Sequence, residues 1–453
     1  MIGKLRLTFK PAIRLGMLIL LFLFNGLGAV PADPASLMGS GNIHLPGDGS
    51  SFAKNAQLFR ALNYEGVGLC RIPLFPNDYF WSSQTPTPAK ADDLMLQAHR
   101  YGVTPNLLFE YYSSFPTPIG TYDQWYRVGR AFAERFSPNS VWWKSQGIRN
   151  YGVTIYEAIN EPDISKLSGH APIPGRAYHD ALKGLADGVH SINSALKVNP
   201  GGFGGVCANK DYTLQELGPV IADLWNNGTL DGIDLHTYGS FWSPLSPWKY
   251  SVQHDFDAVK KACGITRDIN FYASEFNYNA EDAEGGSSKK NISESEAASY
   301  RLTCIWDNLG IVGKQGQPVT KLALIWTLFD TASADPAYGL CTALSPFKPT
   351  MSASVYRLVA QLTAGMDIVS SNPKDSGIVI LRGSGKSMWV WQDRINWTQR
   401  PGSSFKVTGI SPAATKLKVY GYDGLRAAYT LSRQTSYTVN HLPGNETYMF
   451  LAQ

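Results

Sequence analysis

The chain alternates short, apolar, β-prone segments with longer segments of helical periodicity, and this alternation recurs eight times between about residues 38 and 365. It is typical of parallel βαβ units, because parallel neighbours need a crossover long enough to hold a helix. The predicted strands are Gly39–His44, Gly66–Leu74, Thr104–Tyr112, Tyr151–Asn160, Lys197–Gly204, Gly232–Tyr238, Ile269–Asn277 and Lys321–Phe329. The predicted helices are Phe52–Asn63, Asp92–Tyr101, Tyr122–Phe136, Arg176–Ser194, Leu214–Asn226, Asp255–Cys263, Ser293–Leu309 and Ala353–Leu362.

Eight strands that alternate with eight helices favour an α/β fold of the (β/α)8 TIM barrel type. An open, doubly wound sheet is the alternative, but the sequence has no glycine-rich phosphate loop to support it. A composition of 44% hydrophobic, 12% aromatic and only 17% charged residues excludes a disordered chain. One predicted helix carries its own start signal, because Ser293 and Glu296 have the spacing of a capping box.

After Gly365 the pattern changes to alternating strands that are broken by Gly, Pro, Asn and Asp. The strand candidates are Ile378–Arg382, Ser387–Gln392, Phe405–Thr408, Lys416–Tyr420 and Ser436–Val439. Such a pattern indicates an all-β module. The predicted organisation is therefore a barrel over residues 33–365 and a small C-terminal β-sandwich over residues 366–453, docked on the barrel.

Residues 1–32 have the layout of a secretory signal peptide. They hold four Lys or Arg and no acid, then the uncharged run Leu15–Phe24, and then small residues around Ala29 and Ala32. A membrane anchor is the alternative, but it needs about 20 apolar residues, and Asn25 interrupts this run early. No later segment is long and apolar enough to span a bilayer. We therefore expect a secreted or periplasmic protein without stable membrane insertion after cleavage.

The charge of the chain limits its possible binding partners, and its cysteine content limits the number of disulfide bonds. Without the leader, 36 basic and 36 acidic residues remain, so nothing in the charge favours binding to nucleic acid or to an anionic membrane. The cysteines are odd in number and scattered, which favours buried apolar thiols with at most one or two bridges and leaves the pairing open. They are Cys70, Cys207, Cys263, Cys304 and Cys341.

Two glutamates terminate apolar strands of the predicted barrel. The fourth strand ends in Tyr-Glu-Ala-Ile-Asn-Glu-Pro-Asp, which contains Glu161, and the seventh ends in Phe-Tyr-Ala-Ser-Glu-Phe-Asn, which contains Glu275. Active sites of TIM barrels lie at the C-terminal ends of the strands. Glycoside hydrolysis needs two carboxyl groups that face the scissile bond. Strands four and seven lie across the barrel mouth from one another, so Glu161 and Glu275 could face a glycosidic bond from two sides.

On these residues the sequence resembles clan A of the glycoside hydrolases, whose members place an Asn-Glu-Pro acid/base on strand four and a glutamate nucleophile on strand seven. The resemblance covers about residues 38–365 and is greatest to family 39, with family 5 close behind. It implies that Glu161 is the general acid/base and Glu275 the nucleophile. It also implies that Asn160 donates a hydrogen bond to a substrate hydroxyl beside the scissile bond.

The remaining predicted site residues fall on other strand ends. Arg71 on strand two, where the clan commonly has an arginine, would keep Glu275 ionised; a structural ion pair is the alternative. On strand six, the Tyr238 phenol would hydrogen-bond the nucleophile, and the His236 imidazole would bind sugar or orient Glu161. A satisfied core histidine remains open for His236. Trp326 near the end of strand eight would stack on a sugar ring, as in many clan members, or pack as a core aromatic.

Several other residues stay open. Glu110, Tyr111 and Tyr112 on strand three either line the donor subsite or are structural. The loops after strands two and six are rich in aromatic side chains, which suit the apolar faces of pyranose rings or pack the loops on each other. These are Tyr79, Phe80, Trp81, Phe241, Trp242, Trp248 and Tyr250.

We predict a secreted retaining O-glycosidase that cleaves an oligosaccharide or polysaccharide by double displacement. No metal-ligand motif or Gly-x-Ser-x-Gly nucleophile motif occurs in the sequence, so no metal and no other cofactor is expected. A carbohydrate-binding barrel that has lost catalysis, or a transglycosidase, is the alternative. The sugar, the linkage and the choice of exo or endo attack depend on the shape of the loops.

Overall fold

The computed structural model describes most of the chain beyond the predicted leader. The described residues are 33–41, 52–80, 85–110, 120–163, 173–204, 214–239, 252–278, 293–326, 328, 339–344, 346–373, 377–393, 403–444 and 446–453. The predicted signal peptide lies outside these residues. No helix among them is long and apolar enough to cross a membrane.

Eight parallel strands form the first sheet, in the spatial order β5-β4-β3-β2-β1-β8-β7-β6. They are β1 Met38–Ser40, β2 Leu69–Leu74, β3 Thr104–Phe109, β4 Ile155–Asn160, β5 Lys197–Gly201, β6 Gly232–Gly239, β7 Asn270–Tyr278 and β8 Thr320–Ile325. Phe203, just after β5, closes the ring, because its N–H donates to Asp234 and its carbonyl accepts from His236. The predicted TIM barrel is confirmed.

Helices surround the barrel. In chain order they are α1 Pro34–Leu37, α2 Phe52–Glu65, α3 Pro76–Tyr79, α4 Asp92–Arg100, α5 Tyr122–Phe136, α6 Val141–Ser145, α7 Gly175–His190, α8 Leu214–Val220, α9 Ala222–Asn226, α10 Val252–Ala262, α11 Glu294–Leu309 and α12 Met351–Thr363, with a 3-10 turn at Pro88–Ala91. The predicted capping box of α11 is present, since the Ser293 hydroxyl accepts from the Glu296 amide and the Glu296 carboxylate accepts from the Ser293 amide.

One predicted helix is divided in two. The sequence pattern predicts a continuous helix over 214–226, but α8 ends at Val220 and α9 begins at Ala222. Pro219 lies inside α8 and has no N–H to donate to the preceding turn, which weakens the helix at this point. The helices of the barrel otherwise begin and end within a few residues of their predicted bounds.

The lower half of the barrel interior is apolar and the upper half is polar. Tyr272, Leu322 and Leu324 pack together inside the ring, with Leu69 and Ile155 against them. Because strand side chains alternate between the two faces, the inward series continues upward at every second residue. That alternation places Arg71, two residues after Leu69, above the apolar layer and towards the mouth.

The C-terminal part is antiparallel. Its six-stranded sheet has the order β11-β12-β13-β18-β15-β16, and β14 pairs with β17 in a second sheet. The strands are β11 Asp367–Asn372, β12 Ile378–Gly383, β13 Lys386–Gln392, β14 Ser403–Thr408, β15 Lys416–Gly421, β16 Gly424–Thr430, β17 Ser436–Leu442 and β18 Thr447–Ala452, after a hairpin of β9 Cys341–Leu344 and β10 Phe347–Pro349. Side chains of both sheets share one apolar cluster, so the predicted β-sandwich is confirmed.

The sandwich is fixed to the barrel mainly through α11. The hydroxyls of Thr303 on α11 and Thr447 on β18 are 2.7 Å apart, and the Gln392 amide donates to Asp307 at 2.7 Å. Four cysteines lie among the described residues, all buried and unbridged, and Cys207 lies outside them.

Candidate active site

The C-terminal ends of the strands bring the predicted site residues to one mouth of the barrel. Asp234, His236 and Tyr238 are two residues apart on β6, so all three side chains face inward at rising levels. On β8 the inward series of Leu322 and Leu324 continues to Trp326 directly after the strand. Arg71 donates to Asn160 and Glu275, Tyr238 donates to Glu275, and His236 is hydrogen-bonded to Glu161.

Both strands that carry the predicted catalytic glutamates are irregular where the glutamates emerge. On β4 the register against β5 shifts between Ala158 and Asn160. Glu161 follows with φ 44° and Ile159 precedes with φ 67°, which is an outlier for a β-branched residue. A hydrogen bond of 3.1 Å from the Glu161 amide to the Gly202 carbonyl holds this turn.

On β7 the irregularity is an extra residue. Asp234 pairs with Tyr272 and His236 pairs with Glu275. An advance of two residues along β6 is therefore matched by an advance of three residues along β7. Bulges of this kind re-aim a side chain and are common beside active sites. Glu275 thereby points into the mouth, although Tyr272 and Ser274 occupy the inward positions before it.

Arg71 connects the groups of the mouth. Its guanidinium donates to Glu157 Oε2 at 2.7 Å, to Asn160 Oδ1 and Glu275 Oε1 at 3.0 Å, and to the Gly201 carbonyl at 2.9 Å. Burial lowers the pKa of Arg71, but the charges of Glu157 and Glu275 outweigh it and raise that pKa above its ordinary value. The cation is permanent, and it forms an ion pair with Glu275.

Glu157 is a buried residue of the site that the sequence patterns did not single out. It is fully buried and accepts from Arg71 and from the Asn106 side chain, whose own burial is nearly complete. A charged residue in the middle of an apolar strand requires a partner of opposite charge. That rule applied to β4 would have predicted a buried cationic partner for Glu157, which the structure shows to be Arg71.

His236 lies between the two predicted catalytic carboxylates. Its Nδ1 is 2.8 Å from Glu161 Oε1 and 3.4 Å from Glu275 Oε2. Burial lowers the pKa of the imidazole, but the charge of Glu275 and the hydrogen bond to Glu161 raise it to about 9. This shift favours the charged ring, and the contacts with both glutamates make a plain core histidine the weaker interpretation.

Tyr238 completes the environment of Glu275. Its hydroxyl donates to Glu275 Oε2 at 2.8 Å, while Arg71 contacts the other oxygen. Glu275 thus accepts one hydrogen bond at each oxygen, and the two bonds orient its carboxylate.

The two glutamates are close enough for direct attack by one of them. One carboxylate oxygen from each, together with His236 Nδ1, lies within 4.8 Å of the others. Retaining glycosidases separate their carboxyl groups by about 5 to 5.5 Å, whereas inverting enzymes need about 6.5 to 9.5 Å to admit a water. The side chains of Glu161 and Glu275 are 20% and 13% exposed, so both reach the open mouth.

The same three groups also have the spacing of a metal site. A metal requires an unprotonated imidazole nitrogen, whereas the charge of Glu275 and the hydrogen bond to Glu161 outweigh burial and raise the pKa of His236 to about 9, which favours the protonated ring. The Arg71 cation also occupies one oxygen of Glu275. The donor set therefore fits acid–base chemistry better than metal binding, and the absence of a cofactor stays a prediction.

Trp326 sits at the mouth with its backbone fixed on both sides. Its N–H donates to the Phe276 carbonyl at 3.1 Å, and its carbonyl accepts from the Asn277 side chain at 2.6 Å. The indole is partly exposed, and Gly41 after β1 lies beside it. The ring therefore lies at the same end of the barrel as the two glutamates.

The aromatic residues that the sequence predicts for the rim do not all lie there in the structure. Tyr79 is buried, and its hydroxyl donates to the Glu110 carbonyl at 2.6 Å, so it is a packing residue. Phe80 is partly buried against the core. The others lie outside the described residues. They are Trp81, Tyr111, Tyr112, Phe241, Trp242, Trp248 and Tyr250.

Comparison with solved structures identifies similar folds. A family 39 glycoside hydrolase from Xanthomonas axonopodis pv. citri is 16% identical, with a TM-score of 0.60 over 94% of this chain and 95% of that one. A monomeric β-xylosidase from Caulobacter crescentus CB15 is 16% identical, with a TM-score of 0.59 over 94% and 97%. The chain has the fold of these glycoside hydrolases.

The fold is shared beyond family 39. A family 51 α-L-arabinofuranosidase from Bifidobacterium longum is 11% identical, with a TM-score of 0.59 over 94% of this chain and 97% of that one. No protein-family model and no curated protein matches the sequence. The predicted resemblance to clan A, and to family 39 within it, is thus confirmed at the level of the fold.

Proposed function

We propose that the protein is a retaining glycoside hydrolase, with Glu275 as the nucleophile and Glu161 as the general acid/base. The observation that carries the proposal is the separation of the two carboxyl groups, whose near oxygens lie within 4.8 Å of each other. The shared fold and the different surroundings of the two glutamates support it.

In the first step, a Glu275 oxygen attacks the anomeric carbon and forms a covalent ester bond. The glycosidic carbon–oxygen bond breaks, and its electron pair stays on the leaving oxygen, which takes a proton from Glu161. Arg71 and Tyr238 hold the Glu275 carboxylate by hydrogen bonds before the attack. The protonated His236, 2.8 Å from Glu161, can supply the proton that Glu161 passes on.

In the second step, a water oxygen attacks the same carbon from the side of the departed group. Glu161, now a carboxylate, accepts the proton of the water, and the bond to Glu275 breaks with its electrons returning to Glu275. Two inversions at one carbon give net retention. Asn160, which Arg71 orients, would hold a hydroxyl of the sugar, and Trp326 would stack on its ring.

Carbohydrate is therefore the proposed substrate, and the neighbours suggest which sugars to test. One is described as a β-xylosidase and another as an α-L-arabinofuranosidase. We expect the wild-type protein to hydrolyse at least one glycoside from a panel of aryl β-xylosides, β-glucosides, β-glucuronides and α-L-arabinofuranosides, supplemented by plant and bacterial polysaccharides.

Release of the aryl group, followed with and without an added sugar acceptor, separates the alternatives. Hydrolysis that is abolished in a Glu161→Ala/Glu275→Ala double variant supports the proposal. Product that consists mainly of acceptor glycosides would instead identify a transglycosidase. Binding to a polysaccharide without turnover of any substrate would identify a carbohydrate-binding barrel.

We also propose that the protein is exported, because residues 1–32 have the composition of a signal peptide. Protein that is expressed from the full sequence and recovered from the periplasm or the medium should begin near Ala32 or Asp33. Sequencing of its amino terminus checks this, and exported protein that still begins at Met1 would contradict cleavage.

A further inference from the structure

Gly202, just after β5, contacts both Glu161 and the histidine beside it. Its carbonyl accepts a hydrogen bond of 3.1 Å from the Glu161 amide. Its Cα faces the imidazole of His236, because a Cβ built on Gly202 would lie 2.2 Å from Nε2 and 2.3 Å from Cδ2 of that ring. The other edge of the ring carries Nδ1, which is 2.8 Å from Glu161 Oε1. One residue without a side chain thus lies behind the imidazole and holds the turn that presents the glutamate.

The backbone at Gly202 favours glycine for a second reason. Its φ angle is 80°, in the left-handed region that residues with a Cβ seldom adopt. The next residue, Phe203, is fixed to β6, since its N–H donates to the Asp234 carbonyl at 3.0 Å and its carbonyl accepts from the His236 amide at 2.9 Å. Gly202 therefore cannot move away from the ring of His236 without breaking the closure of the barrel between β5 and β6.

The imidazole of His236 has little room to yield to a side chain at position 202. It is fully buried, and its Nδ1 is 2.8 Å from Glu161 and 3.4 Å from Glu275. Since non-bonded carbon atoms pack at about 3.5 Å or more, relief of the overlap requires a shift of roughly 1 Å. Ser274 Oγ would lie 2.9 Å from the same Cβ, but a hydroxyl can rotate away. If the backbone moved instead of the ring, the Gly202 carbonyl would leave the Glu161 amide.

We propose that Gly202 is a positioning residue for the general acid/base. It holds Glu161 through its carbonyl, and its missing side chain leaves the space that His236 needs to reach Glu161. This inference rests on the proposed function, in which Glu161 protonates the leaving group. Gly202 acts through these two residues, so its replacement should impair the proton transfer more than the nucleophilic attack.

Gly202→Ala adds the Cβ alone. For a phenyl glycoside, which needs acid catalysis, we expect kcat/KM to fall by about 10²-fold, because Glu161 is no longer held in place. For the 2,4-dinitrophenyl glycoside of the same sugar, which needs no proton to depart, the fall should stay below about tenfold. Glu275 keeps its hydrogen bonds from Arg71 and Tyr238 in this variant. Equal losses on the two substrates would contradict a role in positioning the acid/base.

Gly316→Ala is the matched control. Gly316 lies in the exposed turn before β8 and has the same φ angle of 80°, but no described atom lies within 4 Å of the place of its Cβ. The control therefore has the backbone strain of Gly202→Ala without the overlap. We expect kcat/KM to stay unchanged on both substrates. A loss equal to that of Gly202→Ala would assign the effect to backbone strain and overturn the proposal.

His236→Ala removes the ring that the new side chain would meet. In that background, Gly202→Ala should lower kcat/KM for the phenyl glycoside by less than about threefold, because the effects of residues in contact are not additive. Losses that simply multiply would show that Gly202 does not act through His236. If Gly202→Ala alone does not fold, the double variant should still fold, as circular dichroism and thermal melting can show. An unfolded double variant would then overturn the proposed contact.

Crystal structures without substrate separate failure of this inference from failure of the proposed function. In the wild type and in Gly316→Ala, the distance from His236 Nδ1 to Glu161 Oε1 should be near 2.8 Å. In Gly202→Ala, either that distance or the one from the Glu161 amide to the carbonyl of residue 202 should exceed about 3.5 Å, where a hydrogen bond is lost. Two unchanged distances would overturn the role of Gly202, whereas inactivity of the wild type on the glycoside panel contradicts the proposed function.

Discussion

Replacement of Glu275 by glycine should reduce hydrolysis of every substrate by about 10⁵-fold or more, because no covalent intermediate can form without the attacking carboxylate. Arg71 and Tyr238 each donate a hydrogen bond to this side chain, one to each carboxylate oxygen. Initial rates of aryl release from the glycoside selected by the panel measure the loss.

Added azide should restore turnover of an activated aryl glycoside by the Glu275→Gly variant, since the small anion fits the vacated space. It would attack once, so the glycosyl azide should have inverted configuration. Glu157→Gln is a useful comparison, because Glu157 is the other carboxylate on Arg71 but is fully buried. Azide should not increase the rate of that variant. Azide rescue there, with none in Glu275→Gly, would contradict the assignment.

Replacement of Glu161 by alanine should have an effect that depends on the leaving group. For a poor leaving group such as phenol, we expect kcat/KM to fall by about 10² to 10⁴-fold, the usual contribution of general acid catalysis. For 2,4-dinitrophenol the fall should be slight, because that group departs without protonation. A comparison of kcat/KM for the two aryl glycosides measures the difference.

Azide should respond differently in the Glu161→Ala variant. The intermediate on Glu275 still forms, but its hydrolysis is slow without a base, so azide should increase kcat and give a glycosyl azide of retained configuration. Wild-type protein with the same azide concentration is the control. If the Glu161 and Glu275 variants give the same anomer, the two roles are assigned wrongly.

Much of the barrel could be predicted from the sequence because its strands are buried on both faces. Runs such as Leu107–Phe109 and Ala323–Ile325 are continuously apolar and are separated by segments of helical period. The break between α8 and α9 could not be placed from that period alone. The apolar spacing continues through Pro219, so the periodicity gives no sign of a break. The missing N–H of the proline removes a backbone hydrogen bond and disturbs the helix only locally.

The sandwich strands that the patterns missed fail the alternation rule for two different reasons. β18, Thr447–Ala452, is buried at every position. It lies between β13 and β15 in the sheet, and each of its two faces packs in an apolar cluster. β11 and β16 are the two edges of the same sheet and are largely polar or exposed. Alternation of apolar and polar residues identifies a strand with one buried face and one solvent-exposed face, and none of these three strands has that arrangement.

For the site, too, one part could be predicted from the sequence and another could not. Strand ends in a barrel meet at one mouth, so the sequence alone placed Glu161 and Glu275 together with Arg71, His236 and Tyr238. It could not provide the register shifts of β4 and β7, because a bulge depends on pairing with the neighbouring strand. Those shifts decide how far apart the two carboxyl groups stand.

The stereochemistry of the first-formed product tests the paired glutamates most directly. Proton NMR can follow the anomeric signal during the first minutes of hydrolysis by the wild-type protein, before mutarotation mixes the anomers. Carboxyl oxygens within 4.8 Å of each other predict that the first product retains the configuration of the substrate. A first product of inverted configuration would show that a water, and not Glu275, attacks the anomeric carbon, and it would contradict the double-displacement mechanism.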